Sequence, residues 1–350
     1  MKLAIEAARR ADPFPNPRVG AVLVKGGKVV ASAHHEFAGG PHAEILALRK
    51  AGKRARGATL YITLEPCSHH AKTPACTAAI LRSGISKVVV GSGDPNPSVD
   101  GSSVLRRAGV EVQRGVLSKQ CNSLNSRIFS NFRHRVPLVA VRYAMSIDGK
   151  ITTRTGNSKW IGGPRERAHA RKLRGSYDVL MVGSGTVLAD NPLLTCRTKG
   201  MPEPQRVICD SRLRVHPHLR VFSVQRDNVL VITSSKRNKR RERELKAAGI
   251  DVYIGGKTKV DLKPLMRALF TVGKRSVLIE GGGTLIGSAF DEKLVDRVYA
   301  YISPKIIGGE RAISPVRGKG IARVRNALKL SNLKVTCLGP DLLLQGDALR

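Results

Sequence analysis

The feature that most constrains this chain is an alternation of strand-length apolar runs with helix-patterned segments, played through twice. The first pass fills residues 1–116. A helix at 1–11 leads through the proline-rich turn DPFPNPR (12–18) into the apolar hairpin VGAVLVKGGKVVASA, which turns at Gly26-Gly27. A helix follows from His42 to about Ala51, then the buried strand ATLYITLEP (58–66). The helix TPACTAAILRSG (73–84), closed by Gly84, precedes the strand KVVVGSGDP (87–95). Residues 117–136 are polar and helix-patterned and read as a connector. From Pro137 the alternation restarts: LVAVRYAMSIDG as strand and turn, PRERAHARKLRGS as helix, YDVLMVGSGTVLADNP as strand and glycine-bearing loop. RVICDSRL, NVLVITSS, DVYIGG and SVLIEGGGTLIGSAFDEKLVD continue it. Strands spaced by helices of this length predict an α/β fold with mainly parallel sheets covered on both faces. The chain of 350 residues suits two such domains, 1–116 and 137–350, with 117–136 between them.

Cysteine is sparse, at six residues, far from the density of a disulfide-stapled secreted domain. Cys121, Cys196, Cys209 and Cys337 stand alone in helix or strand patterns and read as buried free thiols. The first residues, MKLAIEAARRAD, lack the apolar core of a secretory signal, and no apolar run reaches bilayer length. A reduced, cytoplasmic, membrane-free protein is expected. The net charge of +35 raises the question of nucleic acid. Lys and Arg are spread along both halves, and aromatic residues are only 4%, too few for base-stacking platforms. Nucleic acid is therefore not expected as the main partner; anionic small molecules are.

One stretch carries chemistry of its own. TLEPCSHHAKTPAC (63–76) places Cys67 at a strand end and Cys76 at a helix start, with eight residues between them. Upstream, His42-Ala43-Glu44 opens a helix. A histidine, two thiolates and a nearby carboxylate that is not a ligand are the parts of a hydrolytic zinc site. Three protein ligands (His42, Cys67, Cys76) leave the fourth tetrahedral position for water, whose acidity zinc raises. Glu44 can take that water's proton and pass it to departing ammonia. In the second domain Gly281-Gly282-Gly283-Thr284 follows an apolar strand and precedes a helix, where backbone N–H groups can meet a phosphate. It lacks the layout of a Rossmann fingerprint. Gly183-Ser184-Gly185-Thr186 offers a second close backbone approach. Trp160, the only tryptophan, reads equally as core anchor or ligand contact.

The cysteine spacing is longer than the Pro-Cys-x-x-Cys of nucleobase deaminases. With NPRVGAV, G-x-PHAE, TLEPCSHHxKTPxC and DPNP, it resembles the deaminase half of the bifunctional riboflavin biosynthesis proteins. SIDGKI, SKWIGG, GSGTVLADNPLLTCR and LIEGGGTL resemble the same family's reductase half, in the same order, so the likeness covers essentially the whole chain. The resemblance implies a cytidine-deaminase-like three-layer domain followed by a dihydrofolate-reductase-like α/β domain that uses NADPH. It implies that Asn16, His35, His69, Lys72, Asp94 and Asn96 contact the deaminase substrate. Ala144, Trp160, Thr186, Asp190, Ser211 and Gly282, Gly283, Thr284, Leu285, Ile286, Gly287 and Ser288 would contact NADPH. Ser158, Arg174, Leu194, Arg197 and Glu280 would contact the phosphorylated sugar, the arginines through bidentate bonds. There are departures: Ala33-His34-His35 replaces Gly-aromatic-His, SVDGSSVLRRAGVEV is short, and Arg142 stands where the family commonly has lysine. An arginine does not give up its proton, so it would serve only electrostatically.

The expected function follows. A diaminopyrimidinone ribosylamino phosphate is deaminated at the zinc site, one zinc per chain. NADPH then reduces the ribosyl side chain to ribityl. A homo-oligomer formed through the reductase domain is expected. The rival is a nucleobase or tRNA deaminase fused to a basic RNA-binding domain, which the charge favours and the cysteine spacing and second-domain motifs oppose.

Overall fold

The structure, a computed structural model, describes residues 1–68 and 75–349. The proposed contacts His69 and Lys72 lie outside the described residues. The chain forms two units, Met1–His134 and Arg135–Arg350.

In the first unit, α1 (Lys2–Arg9) leads to the hairpin β1 (Gly20–Lys25) and β2 (Lys28–His34). Then come α2 (Ala43–Ala51), β3 (Thr59–Leu64), α3 (Cys76–Arg82), β4 (Lys87–Ser92), α4 (Gly101–Arg107) and β5 (Glu111–Arg114), followed by α5 (Ser118–Leu124) and α6 (Ser126–His134). The sheet order is β2-β1-β3-β4-β5. It is mixed instead of mainly parallel. β1 runs antiparallel to both β2 and β3, and only β3-β4-β5 are parallel. The tight hairpin reverses β2, and α2 carries the chain back so that β3 runs with β2 and against β1. Ala43, Ala47 and Ala51 of α2 are buried, a small-residue stripe that seats the helix closely on the sheet. The segment expected as a connector packs onto this unit. Cys121 of α5 is buried, and Asn125 takes a bond from the Arg18 amide at 2.8 Å and returns one to its carbonyl at 2.9 Å. Polarity made 117–136 look like a linker, yet residues up to His134 belong to this unit, with Cys121 and Asn125 among their contacts.

The second unit runs β6 (Leu138–Ser146), α7 (Pro164–Arg174), β7 (Val179–Gly183), α8 (Ser184–Asp190), β8 (Gln205–Cys209), β9 (Val229–Thr233) and α9 (Lys239–Ala247). It continues with β10 (Asp251–Ile254), α10 (Leu262–Thr271), β11 (Ser276–Glu280), α11 (Gly283–Asp291), β12 (Arg297–Ser303), β13 (Leu330–Leu338) and β14 (Asp341–Ala348). The nine strands lie in the order β10-β9-β8-β7-β11-β6-β12-β14-β13. The seven from β10 to β12 are parallel, and β14 and β13 add an antiparallel edge that the sequence reading had not anticipated. The core is aliphatic, with Val139, Val141, Met181, Val277 and Ile279 from the sheet. Leu262, Leu265, Met266 and Leu269 of α10 cover it at helical spacing. The loop expected after β7 is helical: Ser184 to Asp190 form α8, with Gly183 as its N-cap. Two of the four cysteines expected to be buried are not: Cys209 is half-buried and Cys337, on the edge strand β13, is exposed. Among the described residues no helix is long and apolar enough to cross a membrane.

Candidate active sites

Because β3 and β4 are parallel, the segments that follow them share one sheet edge, with the Glu65 amide bonded to the Ser92 carbonyl at 2.8 Å. Glu65, buried, takes the Ser102 amide at 2.9 Å and Arg114 at 3.0 Å, which fixes the chain just before Pro66-Cys67. The motif reading passed over this role, for which the apolar strand's one carboxylate was the available signal. His42 is the N-cap of α2 and Cys76 the first residue of α3, so both helices begin at this edge. His42 Nδ1 lies 3.1 Å from Cys76 Sγ and 3.7 Å from Cys67 Sγ, and the Cys76 amide donates to Cys67 Sγ at 3.3 Å. Ligand atoms of these three residues all fall within 4.8 Å of one another. Around one tetrahedral zinc, ordinary Zn–N and Zn–S bond lengths put ligand atoms roughly 3.5–3.8 Å apart. The donor set fits.

The protonation pattern fits as well. The Cys76 thiol donates to Cys67, which pulls the Cys67 thiol down and holds the Cys76 thiol up. The pair shares a single proton where a cation would displace it. Glu44 is buried beside them; burial pushes its carboxyl up, and His42 pulls against that. A raised carboxyl next to the ligands is suited to proton transfer near neutrality. His35 is also buried, its ring centroid 5.5 Å from that of His42. Its Nδ1 donates to the Pro41 carbonyl at 2.9 Å, so Nε2 accepts from Asn16 Nδ2 at 3.0 Å. Burial pushes the His35 pKa down and keeps the ring neutral. Asn16 is thereby oriented by His35. Asp94 and Asn96 shape the turn after β4, where Asp94 accepts the Asn96 amide at 2.8 Å.

In the second unit the parallel strands place their C-terminal ends on one edge, the usual position for ligands in such sheets. Ala144, Thr186, Ser211 and Glu280 end up on or just beyond β6, β7, β8 and β11. Gly281 and Gly282 have φ of +68° and +59°, conformations that favour glycine, and Gly282 caps α11 without a side chain, leaving backbone N–H groups for an anion. A Cβ on either would meet the Thr186 side chain at 3.0–3.1 Å, so Thr186 belongs to this cradle. The rest of 282–288 divides. Thr284 is exposed, and Ser288 beside it bonds its carbonyl at 3.0 Å. Leu285 and Ile286 are buried in the core, and a Cβ on Gly287 would lie 1.5 Å from the Arg317 carbonyl. Those three are packing positions. Ser158 donates to Asp190 at 2.7 Å. Trp160 is 64% exposed, with the Arg167 guanidinium 4.8 Å from its ring, so it anchors no core. Ser211 accepts the Val260 amide at 3.0 Å.

Arg174, expected to be a phosphate ligand, is engaged elsewhere. It grips Glu280 with two bonds, at 2.8 and 2.6 Å, and donates a third to the Thr195 carbonyl at 3.0 Å. Leu194 is buried and Arg197 exposed, both at positive φ of +59° and +53°. The Arg197 pKa is lowered by burial and by Arg171, Arg174 and Arg220, so several guanidinium groups converge there. The sequence reading missed Arg171 and Arg220, though Arg171 stands three residues before Arg174 on the same helix. It also missed Arg206, a buried arginine in the apolar strand RVIC that holds the Leu193, Val221 and Gln225 carbonyls at 3.2, 2.8 and 2.7 Å. It pins the loop that carries Leu194 and Arg197.

The two units thus define a class: a zinc deaminase of the cytidine type joined to a dihydrofolate-reductase-like, NADPH-using reductase. The model of the cytidine and deoxycytidylate deaminase zinc-binding region matches residues 1–92, and that of the RibD C-terminal domain matches residues 137–344. The chain is 41% identical to the riboflavin biosynthesis protein RibD of Actinobacillus pleuropneumoniae, over 98% of this chain and 93% of that one. It is 40% identical to that of Aquifex aeolicus, over 98% and 96%. Among solved structures it is similar to Acinetobacter baumannii RibD (TM-score 0.73, 32% identity, 100% and 98% covered). It is also similar to the Thermotoga maritima diaminohydroxyphosphoribosylaminopyrimidine deaminase/phosphoribosylaminouracil reductase (TM-score 0.67, 36% identity, 100% and 97% covered). The chain belongs to the RibD family: it is a bifunctional deaminase and reductase of riboflavin biosynthesis. The unit that the rival reading would have made an RNA-binding domain is the reductase.

Proposed function

We propose that the unit Met1–His134 deaminates the diaminopyrimidinone ribosylamino phosphate and that the unit Arg135–Arg350 reduces its ribosyl side chain. The observation that carries the first half is the convergence of His42, Cys67 and Cys76 within 4.8 Å, with buried Glu44 beside them. Zinc held there supplies a Lewis acid that makes water a usable nucleophile near neutral pH. Glu44 accepts the proton of the attacking water and delivers it to the amino group as ammonia leaves, so the ring carbon exchanges nitrogen for oxygen. Asn16, aimed by His35, fixes the ring, and Asp94 and Asn96 line the same edge. His69 and Lys72 remain assigned to the ribose phosphate by family resemblance.

In the reductase NADPH supplies hydride to C1′ of the opened sugar. The Gly281–Thr284 cradle with Thr186 takes a cofactor phosphate, and Ala144, Trp160, Asp190 and Ser211 complete that surface. Ser158 and Leu194 border the sugar. Glu280 faces a sugar hydroxyl, and Arg197, joined by Arg171 and Arg220, takes the phosphate in place of Arg174. Self-association through this unit is supported by its edge strand β13, where Leu333 and Val335 are each 60% exposed. A cytoplasmic setting is supported by six free cysteines. The test is zinc analysis with an NADPH-oxidation assay on the pyrimidine substrate. About one zinc per chain and ammonia release preceding NADPH oxidation are expected; NADPH oxidation without ammonia release would overturn the order.

A further inference from the structure

Four side chains at the C-terminal edge of the second sheet form a row of alternating charge, its two carboxylates buried and its two arginines half-buried: Arg174, Glu280, Arg142, Glu166. The two in the middle come from neighbouring strands. Glu280 of β11 stands in register with Arg142 of β6. The outer two come from one helix, α7, whose first turn carries Glu166 and whose last residue is Arg174. Glu166 is 1% exposed, and Gly162 provides its room, since a Cβ there would lie 2.3 Å from the carboxylate.

The acceptor count on Glu280 matters. Among the described residues Oε1 takes Arg174 Nη2 at 2.6 Å and Arg142 Nη1 at 3.1 Å, while Oε2 takes only Arg174 Nε at 2.8 Å. A carboxylate has about four acceptor sites, so one remains, on Oε2. Arg142 could fill it, because its Nε has no partner among the described residues. It does not, because Nη2 is held by Glu166 and its face lies 4.9 Å from the Tyr301 ring. The Tyr301 hydroxyl is held in turn by His169 at 2.8 Å.

We propose that Glu166 is a positioning residue of the reductase: by holding one arm of Arg142 it keeps an Oε2 acceptor site of Glu280 open for a hydroxyl of the sugar substrate. This rests on the reading that Glu280 meets the sugar. Without Glu166, Arg142 turns both arms on Glu280 and occupies the site itself.

The test uses the full-length enzyme and already deaminated substrate, alongside analogues lacking the 2′- or the 3′-hydroxyl. Wild type should lose about 10- to 100-fold in reductase kcat/KM on one analogue, the worth of one hydrogen bond to a charged acceptor. Glu166→Leu, which removes the acceptor, should lose a similar factor on the natural substrate, lose almost nothing more on that analogue, and bind NADPH as wild type does. Equal sensitivity to both analogues in wild type and Glu166→Leu would overturn the proposal, as would a variant whose NADPH affinity falls with its activity. Wild type indifferent to both analogues would overturn it without any variant. Glu280→Gln separates the two readings: full activity there removes Glu280 from the sugar, whereas an inactive Glu280→Gln with an unaffected Glu166→Leu removes only the role of Glu166.

Discussion

The two chemical centres of this chain solve the problem of buried charge in opposite ways. Around His42 the acidic groups outnumber the basic one: two thiols and buried Glu44, whose carboxyl burial pushes up, surround a single imidazole that Cys67 holds more basic than usual. Around Glu280 the charges cancel within the protein, since two arginines and two glutamates alternate. Isolated buried charge is costly, so a cluster left uncompensated is one built to receive an ion, and a compensated one is built to stay as it is. The zinc site should therefore respond most to removal of its metal or ligands. The reductase row should respond most to removal of one member.

The largest effect should come from the ligands. Cys67→Ser or Cys76→Ser should abolish zinc binding and deamination while NADPH oxidation on pre-deaminated substrate persists; loss of both activities would break the contrast between independent centres. Next, Glu44→Gln should keep its zinc and lose about 10²- to 10⁴-fold in deamination, the range for a positioned acid–base group. Turnover near wild type would remove Glu44 from the proton path.

Third, Arg174→Ala leaves Glu280 buried with half its compensation, and thermal or denaturant unfolding of the second unit should register about 3–5 kcal/mol of lost stability. A loss confined to substrate KM would restore Arg174 to the phosphate. Fourth, burial pushes the Glu280 carboxyl up, but Arg174 and then Arg142 outweigh it and hold it down at about 2, against an ordinary 4.5. A depressed carboxyl stabilises above its unfolded value and loses that stability as pH falls through the folded one. The window is pH 4.5 to 2, worth about 3 kcal/mol. Glu166 is shifted the other way, by burial, so its own contribution falls as pH rises above 4.5 and the two windows do not overlap. Acid unfolding of Glu280→Gln beside wild type isolates the lower window. Smallest of all, Arg240→Ala should change stability by no more than about 0.5 kcal/mol, because its pair with Glu244 is at the surface. A reductase deficit there equal to that of Arg197→Ala would mean that phosphate is met by a diffuse field.

Period and spacing made much of this legible in advance. Apolar runs of strand length gave most of the strands, and the order His-x-Glu, Pro-Cys, Cys pointed to zinc because each chemistry-bearing residue stands at a helix start or strand end. These are local signals, written in neighbouring residues. What failed were judgements that depend on distant ones. Residues 117–136 looked like a linker because polarity says nothing of anchoring side chains such as Cys121 and Asn125. Arg174 looked like a free phosphate ligand because its partner, Glu280, stands 106 positions away.

The sequence by itself determined the alternation, the division into two catalytic halves and the ligand types, since all three are set by local propensity and by donor chemistry. Only the tertiary structure decided which strands are neighbours, and with that which charges meet. The register that sets Glu280 beside Arg142, and the helix α7 that brings Glu166 and Arg174 to either side, arise from strand order and helix docking. Both are fixed by burying apolar surface across the whole sheet, and no short stretch of residues carries that information.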